Sequence, residues 1–155
     1  MAARELSLIA IIKEFPPPVA GSSPVLALDR VSLRGAESEI VSIVGPSGGG
    51  KSTLLRLVAG FDAPTGGVIR LGGGAVSGPG PDRGMVFQQP TLFAWKSVLD
   101  NVAVGPRMRG APRAKCREEA RRYLRAVKLQ GFERHYPYQL SGGMRQRVQI
   151  ARVLI

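Results

Sequence analysis

For its first hundred residues the chain shows short apolar runs broken by glycine and proline. Helical stripes appear only toward its end. Leu6-Ser7-Leu8-Ile9-Ala10-Ile11-Ile12 is nearly all apolar, and Val25 to Leu33 alternates in part, with Leu26 and Leu28 about Ala27 and Val31 and Leu33 about Ser32. Both patterns predict strands. Pro16 to Pro24 lies between them, and its three consecutive prolines withhold ladder donors, so it reads as a loop. Glu39-Ile40-Val41-Ser42-Ile43-Val44 is β-branched and predicts the most deeply buried strand of the chain. A glycine-rich turn, Gly45 to Gly50, leads into a helix over Ser52 to Gly60, with Gly60 as its stop. Gly66 to Gly72 and Gly84-Met85-Val86-Phe87 read as short strands, and residues 72 to 82 as a Gly/Pro-rich loop that opens on the flexible turn Gly72-Gly73-Gly74. Arg113 to Val127 lacks Gly and Pro, and Ala120, Tyr123, Leu124 and Val127 form one helical stripe. Met144 to Ile155 predicts a last helix, capped by Ser141 or by Gly142 and Gly143.

Composition narrows the class. The 155 residues make one domain or part of a larger one, and a 44% hydrophobic share excludes wholesale disorder. The 20 glycines have no three-residue period, so the chain is not collagen-like. A single cysteine, Cys116, excludes a disulfide framework and fits a reducing compartment. No apolar run reaches the roughly 18 residues of a membrane helix. The first run is not a leader either, because Glu5 offsets Arg4 and Lys13-Glu14 follow directly. The expected address is therefore the cytoplasm. The net charge of +11 is uneven: residues 107 to 134 carry ten basic and three acidic side chains. The plain reading of that stretch is a solvated helix face; the other is contact with an anionic partner.

The chemistry starts at Gly45-Pro46-Ser47-Gly48-Gly49-Gly50-Lys51-Ser52, which fits G-x-x-x-x-G-K-[ST]. Glycines let successive backbone N–H groups curl round a phosphate, and the following helix turns its N-terminal partial charge on the same anion. Lys51 reaches the β- and γ-phosphates, and Ser52 offers Mg²⁺ a hydroxyl. The motif sits between an expected strand and an expected helix, as its mechanism needs.

Together with Gly84-Met85-Val86-Phe87-Gln88-Gln89 and Leu140-Ser141-Gly142-Gly143-Met144-Arg145-Gln146-Arg147, that loop resembles the ATP-binding subunits of ABC transporters, over about Leu6 to Leu154. The second segment looks like the family's Q-loop and the third like its signature motif, at the expected distance from Lys51. Trp95, Asp100-Asn101-Val102, Tyr136-Pro137 and the Gly-Gly-Met signature are similar to the subgroup that imports nitrate, sulfonates, taurine, bicarbonate or pyrimidine precursors, although Ala94 stands where that subgroup often has proline.

The resemblance implies an α/β P-loop NTPase core with an N-terminal antiparallel β subdomain and a helical subdomain. Residues 1–95 would hold the β subdomain, phosphate loop and Q-loop, residues 96–140 the helical subdomain, and residues 141–155 the signature motif and its helix. Gly45 to Thr53 would cradle ATP: Gly45, Pro46, Ser47, Gly48, Gly49, Gly50, Lys51, Ser52 and Thr53. Phe15 would lie under the adenine, or else pack in the core as most aromatics do. Gln88 would contact Mg²⁺ and the attacking water. Ser141, Gly142 and Gly143 would bind the γ-phosphate of ATP held by a second copy, giving a head-to-tail sandwich. The partners implied are that copy, membrane permease subunits and, indirectly, an external solute-binding protein, at the cytoplasmic face of the inner membrane. Nucleic acid is not expected. Cys116 and His135 have no partner at metal-ligand spacing and read as structural or surface residues.

The family's Walker B strand, its general base and its switch histidine have no counterpart among these residues. Glu118, Glu119 and Glu133 lie in the helical region, and His135 precedes the signature. Three expectations follow: an incomplete central sheet with a gap near 14 Å at ~4.8 Å per strand, weak folding, and poor hydrolysis by the chain alone. The natural frame for such a sequence is a protein of roughly 240 residues or more. The competing readings are a non-catalytic nucleotide-binding remnant and a non-transport ABC ATPase acting on nucleic acid.

Overall fold

The computed structural model describes residues 5–17, 19 and 21–155. Pro18 and Ala20 of the expected loop, and Arg4 ahead of the first strand, lie outside the described residues. The chain forms two units that meet at Arg83 and Gly84.

In the first unit, β1 (Leu6–Phe15), β2 (Val25–Gly35), β3 (Gly66–Leu71) and β4 (Gly74–Ala75) form one antiparallel sheet in the order β2-β1-β3-β4. The apolar run of β1 does not alternate because the strand is bulged. Pairing with β2 shifts register between Leu8↔Leu33 and Ile11↔Val31. Ala10 takes φ 47° at the bulge, and its N–H donates to Ser32 Oγ at 2.9 Å. Leu8 and Ile11, three residues apart, therefore both point into the core. Gly67 lies opposite: a Cβ there would come within 2.4 Å of the Ala10 and Ile9 carbonyl oxygens, at φ 82°. The expected flexible turn is a tight hairpin, with Gly72 and Gly73 both at positive φ between the pair Leu71↔Gly74.

Helix α1 (Lys51–Ala59) closes the sheet's inner face, burying Leu54 and Leu57 with Leu8, Ile11, Leu28 and Ile69. It ends at Gly60 as the sequence predicts: Gly60 N–H donates to Leu57 O at 3.0 Å and Phe61 N–H to Arg56 O at 3.0 Å. Arg56 grips Asp62 just beyond through Nε and Nη2, at 2.6 and 3.2 Å. This hydrogen bond holds the Asp62 carboxyl below its usual range.

Two expected strands are not formed. Residues 39–44 run without strand pairing, and Ile40 and Val44 stand 93% and 89% exposed rather than buried. Residues 84–87 are likewise outside any sheet. A strand exists only through the partner that takes its N–H and C=O groups, and among the described residues no strand runs beside either segment. High β propensity is not enough to replace that partner. The sheet described is the antiparallel β2-β1-β3-β4, and neither segment joins it.

The second unit is helical: α2 (Val98–Val102), α3 (Val104–Met108), α4 (Arg113–Ala126), a 3₁₀ turn (Pro137–Gln139) and α5 (Gly142–Leu154). The stripe of α4 is as predicted for Ala120 and Leu124, joined by buried Cys116, with Tyr123 and Val127 against the same core. The short helices α2 and α3 carry too few turns to show a period and were not predicted. They are fixed by buried Asn101: its Oδ1 accepts from Phe93 N–H at 2.8 Å, and its Nδ2 donates to the carbonyls of Phe93, Lys96 and Ser97 at 3.0–3.1 Å. Ser97 caps α2 by accepting from Asp100 N–H at 3.2 Å.

Gln149 of α5 is fully buried, and neither side-chain amide atom has a hydrogen-bond partner among the described residues. Two substitutions of opposite sign follow. Asn101→Ala strips four bonds from the loop 93–97 and should cost the helical unit about 2–3 kcal/mol. Gln149→Met keeps the volume, removes two unmatched polar atoms, and should gain about 1–2 kcal/mol. Chemical denaturation followed at a helix-sensitive wavelength checks both; equal midpoints for the two variants would contradict this packing.

Candidate functional site

The phosphate loop begins where the unpaired segment ends. Gly48 and Gly50 take φ 79° and 78°, the left-handed turns that let the backbone curl toward a common centre. Gly49 N–H donates to Pro46 O at 3.2 Å, and Leu54 N–H starts the helix ladder on Gly50 O at 2.8 Å. Gly50 is the tightest point: a Cβ there would lie 2.6 Å from Ala27 O and 2.8 Å from Leu28 Cδ2. The loop is thereby pressed onto β2, and the first turn of α1 has a fixed origin.

Lys51 Nζ donates to the carbonyls of Gly45 and Pro46, at 2.9 and 2.6 Å. The ammonium sits inside the loop's mouth on neutral acceptors, which an anionic oxygen outcompetes because charge-assisted bonds are about twice as strong. Ser52 is exposed in the first turn and Thr53 half-buried behind it. The loop residues Gly45 to Gly49 are all exposed. Glycine conformation, helix N-terminus, ammonium and free hydroxyl together fit a polyphosphate with its cation. Among the described residues no three His, Cys, Asp or Glu side chains gather to hold a metal on their own.

Phe15 is the last residue of β1. It pairs with Val25, two residues before Ala27, whose carbonyl abuts Gly50. It is 37% exposed, belongs to no core cluster, and carries Lys13 Nζ 5.1 Å from its ring centroid.

The other predicted residues lie in the helical unit. Gln88 is exposed at a bend after the extended segment 84–87. That segment is tied down by a residue the sequence reading left without a role: Gln146 of α5 donates from Nε2 to Phe87 O at 3.2 Å. Arg152 holds the other side, donating from its guanidinium to Thr91 O and Thr91 Oγ1 at 2.8 and 3.0 Å, with Phe93 beneath at 5.5 Å. Burial pushes the Arg152 guanidinium below its usual value. The i, i+3, i+6 spacing of Gln146, Gln149 and Arg152 on one breaker-free helix was the available signal, but it does not say what those side chains reach.

Ser141 caps α5, accepting from Met144 N–H at 3.3 Å, and Arg145 N–H starts the ladder on Ser141 O at 3.0 Å. Arg145 Nη1 donates to Leu140 O at 2.7 Å and locks the entry to the helix. Ser141, Gly142 and Gly143 are exposed, and a Cβ on either glycine would meet open space. The N-terminus of this 13-residue helix is therefore bare backbone, open to an incoming anion.

With that geometry described, known proteins can be set beside it. Residues 28–155 match the family model described as ABC transporter. The chain is 55% identical over 128 residues to the taurine import ATP-binding protein of Chromobacterium violaceum, covering 83% of this chain and 49% of the relative. It is 53% identical over 130 residues to an uncharacterized ABC transporter ATP-binding protein of Methanocaldococcus jannaschii, covering 84% and 49%. It is 49% identical over 130 residues to the nitrate import ATP-binding protein of a Synechocystis species, with the same coverage. The chain thus spans about half the length of the curated relatives it matches. Among solved structures, a dimeric ATP-binding cassette in a post-hydrolysis state bound to ADP and Pi superposes with a TM-score of 0.85 at 35% identity, over 96% of this chain and 68% of the other.

The packing at Gly50 yields a direct test of the loop. Gly50→Ala forces a left-handed alanine into Ala27 O and should cost about 2–4 kcal/mol. Gly48→Ala meets nothing within 4 Å and should cost only the ~1–2 kcal/mol of the backbone conformation. Thermal melts of the two variants separate these values; a Gly48→Ala variant as damaged as Gly50→Ala would contradict the seating on β2.

Proposed function

We propose that this chain, which belongs to the ABC transporter family, is the nucleotide-binding portion of an importer's ATPase subunit. The observation that carries the reading is the loop Gly45 to Ser52: two left-handed glycines, a helix N-terminus and an inward-folded Lys51 are gathered at one exposed mouth. In this reading Gly45, Pro46, Ser47, Gly48, Gly49 and Gly50 wrap the β- and γ-phosphates of ATP. Lys51 leaves its two carbonyl partners for the phosphate oxygens. Ser52 supplies a hydroxyl to Mg²⁺, and Thr53 completes the first turn beneath the phosphates. Phe15, partly exposed at the end of β1 and paired with Val25 of β2, stacks on the adenine.

Gln88 approaches the Mg²⁺ and the attacking water and reports on the membrane subunit. Ser141, Gly142 and Gly143 receive the γ-phosphate of ATP held by a second copy, for which the open N-terminus of α5 is suited. The chain then divides into residues 1–95, which carry the first site, 96–140, which face the permease, and 141–155, which face the second copy. ATP hydrolysis and transport are proposed for the whole protein, of which this chain covers about half the length of its relatives. The relatives named for taurine and nitrate import support a small solute such as nitrate, a sulfonate, taurine or a pyrimidine precursor. The place of action is the cytoplasmic face of the membrane, beside permease subunits that receive solute from an external binding protein. The attachment in this reading is peripheral, and among the described residues no helix is long and apolar enough to cross a membrane.

Titration with a fluorescent ATP analogue tests the reading. Lys51→Ala removes the charge-assisted bonds to phosphate and should weaken binding by about tenfold to a hundredfold. Equal affinity in the two proteins would overturn the assignment of the loop.

A further inference from the structure

The helical unit contains a second basic cavity that the nucleotide site does not use. It has a volume of about 610 Å³ and lies between one face of α4 and the loop that follows it. Arg117 and Arg121, one helical turn apart, form one wall, and Glu133, Arg134 and His135 form the other, with Leu99 of α2 at its base. The loop is held firmly: Val98 N–H donates to His135 O at 2.8 Å, Leu99 N–H to Glu133 O at 3.0 Å, and the Phe132 and His135 rings lie 5.0 Å apart. Two loop carbonyls that would repel an anion are thus already engaged.

The side chains, by contrast, are incompletely partnered. Arg117 Nε and His135 Nδ1 are shielded from solvent and have no hydrogen-bond partner among the described residues. Arg117 Nε forms an ion pair with Asp100 Oδ1 at 3.8 Å, too long for a hydrogen bond, and Oδ1 is likewise shielded and without a hydrogen-bond partner. The other carboxylate oxygen of Asp100 is taken by Ser97 Oγ at 3.0 Å. Buried donors without acceptors are rare and costly, and an oxyanion seated here would relieve this one. Three guanidinium groups against Glu133 inside and Asp100 at the margin leave net positive charge for an anion.

We propose that this cavity binds a phosphate group. Forked guanidinium donors on two walls suit the several oxygens of a phosphate better than the two of a carboxylate. The volume exceeds that of phosphate alone, so the group would arrive as part of a larger molecule, either a soluble phosphorylated metabolite or an anionic lipid headgroup. The loop 131–135 that forms the second wall leads straight into the 3₁₀ turn and the signature motif at Ser141.

The test uses pyrophosphate as the soluble probe and vesicles of phosphatidylglycerol, against pure phosphatidylcholine, as the lipid probe. Both are applied to the whole chain and to its Lys51→Ala variant, which removes the phosphate loop as a competing site. The Arg117 Nε–H and His135 ring NMR signals should shift with pyrophosphate, or the chain should sediment with the anionic vesicles only. Arg121→Gln combined with Arg134→Gln, both at exposed positions, should weaken the response about tenfold or more while the thermal melt stays unchanged. A response to pyrophosphate identifies a soluble ligand, and a response to vesicles alone identifies a headgroup. Shifts confined to the phosphate loop, or an undiminished response in the double variant, would overturn the proposal.

Discussion

A backbone N–H or C=O taken from water must find a partner, and this requirement organises the chain. The first unit meets it with the antiparallel sheet β2-β1-β3-β4, even at the bulge, where Ser32 supplies the acceptor that the strand partner cannot. The second unit meets it with helices and with Asn101, one buried amide that serves the loop 93–97. Residues 39–44 meet it with neither, and so the strongest β-forming run in the sequence lies in the open. The phosphate loop that follows cannot take its position from a strand pair. It takes it from the close contact of Gly50 with Ala27 O and from Lys51 bridging two loop carbonyls.

Local chemistry was legible where one residue type decides the outcome. Gly60 ends α1, Ser141 caps α5, and the stripe of α4 faces the core. The phosphate loop was legible for the same reason, since its glycines are needed for backbone angles that other residues resist. What escaped was decided by partners at a distance. Ile40 to Val44 has the composition of a buried strand, but burial is a property of what lies alongside. Asn101 gave no sign that it would bind three carbonyls, nor Gln146 that it would reach Phe87. The bulge at Ala10 was invisible because a run of apolar residues has no alternation to break.

The two units solve one chemical problem in two ways. Each presents an exposed helix N-terminus with glycines to an anion, α1 through the loop that ends at Gly50 and α5 through Ser141. The first adds an ammonium at an exposed mouth. The second is bare backbone, with Arg145 turned back onto Leu140 O rather than toward solvent. In the proposed head-to-tail pair, the first would hold the nucleotide and the second would meet it from the other copy.

Amide-resolved hydrogen exchange with and without MgATP tests the central claim most directly. If the loop is a phosphate seat, the amides from Gly48 to Thr53 slow markedly when nucleotide is added. The exposed run Ile40 to Val44 keeps its fast exchange, and Lys51→Ala abolishes the slowing. Loop amides that exchange at the same rate with and without MgATP would contradict the account.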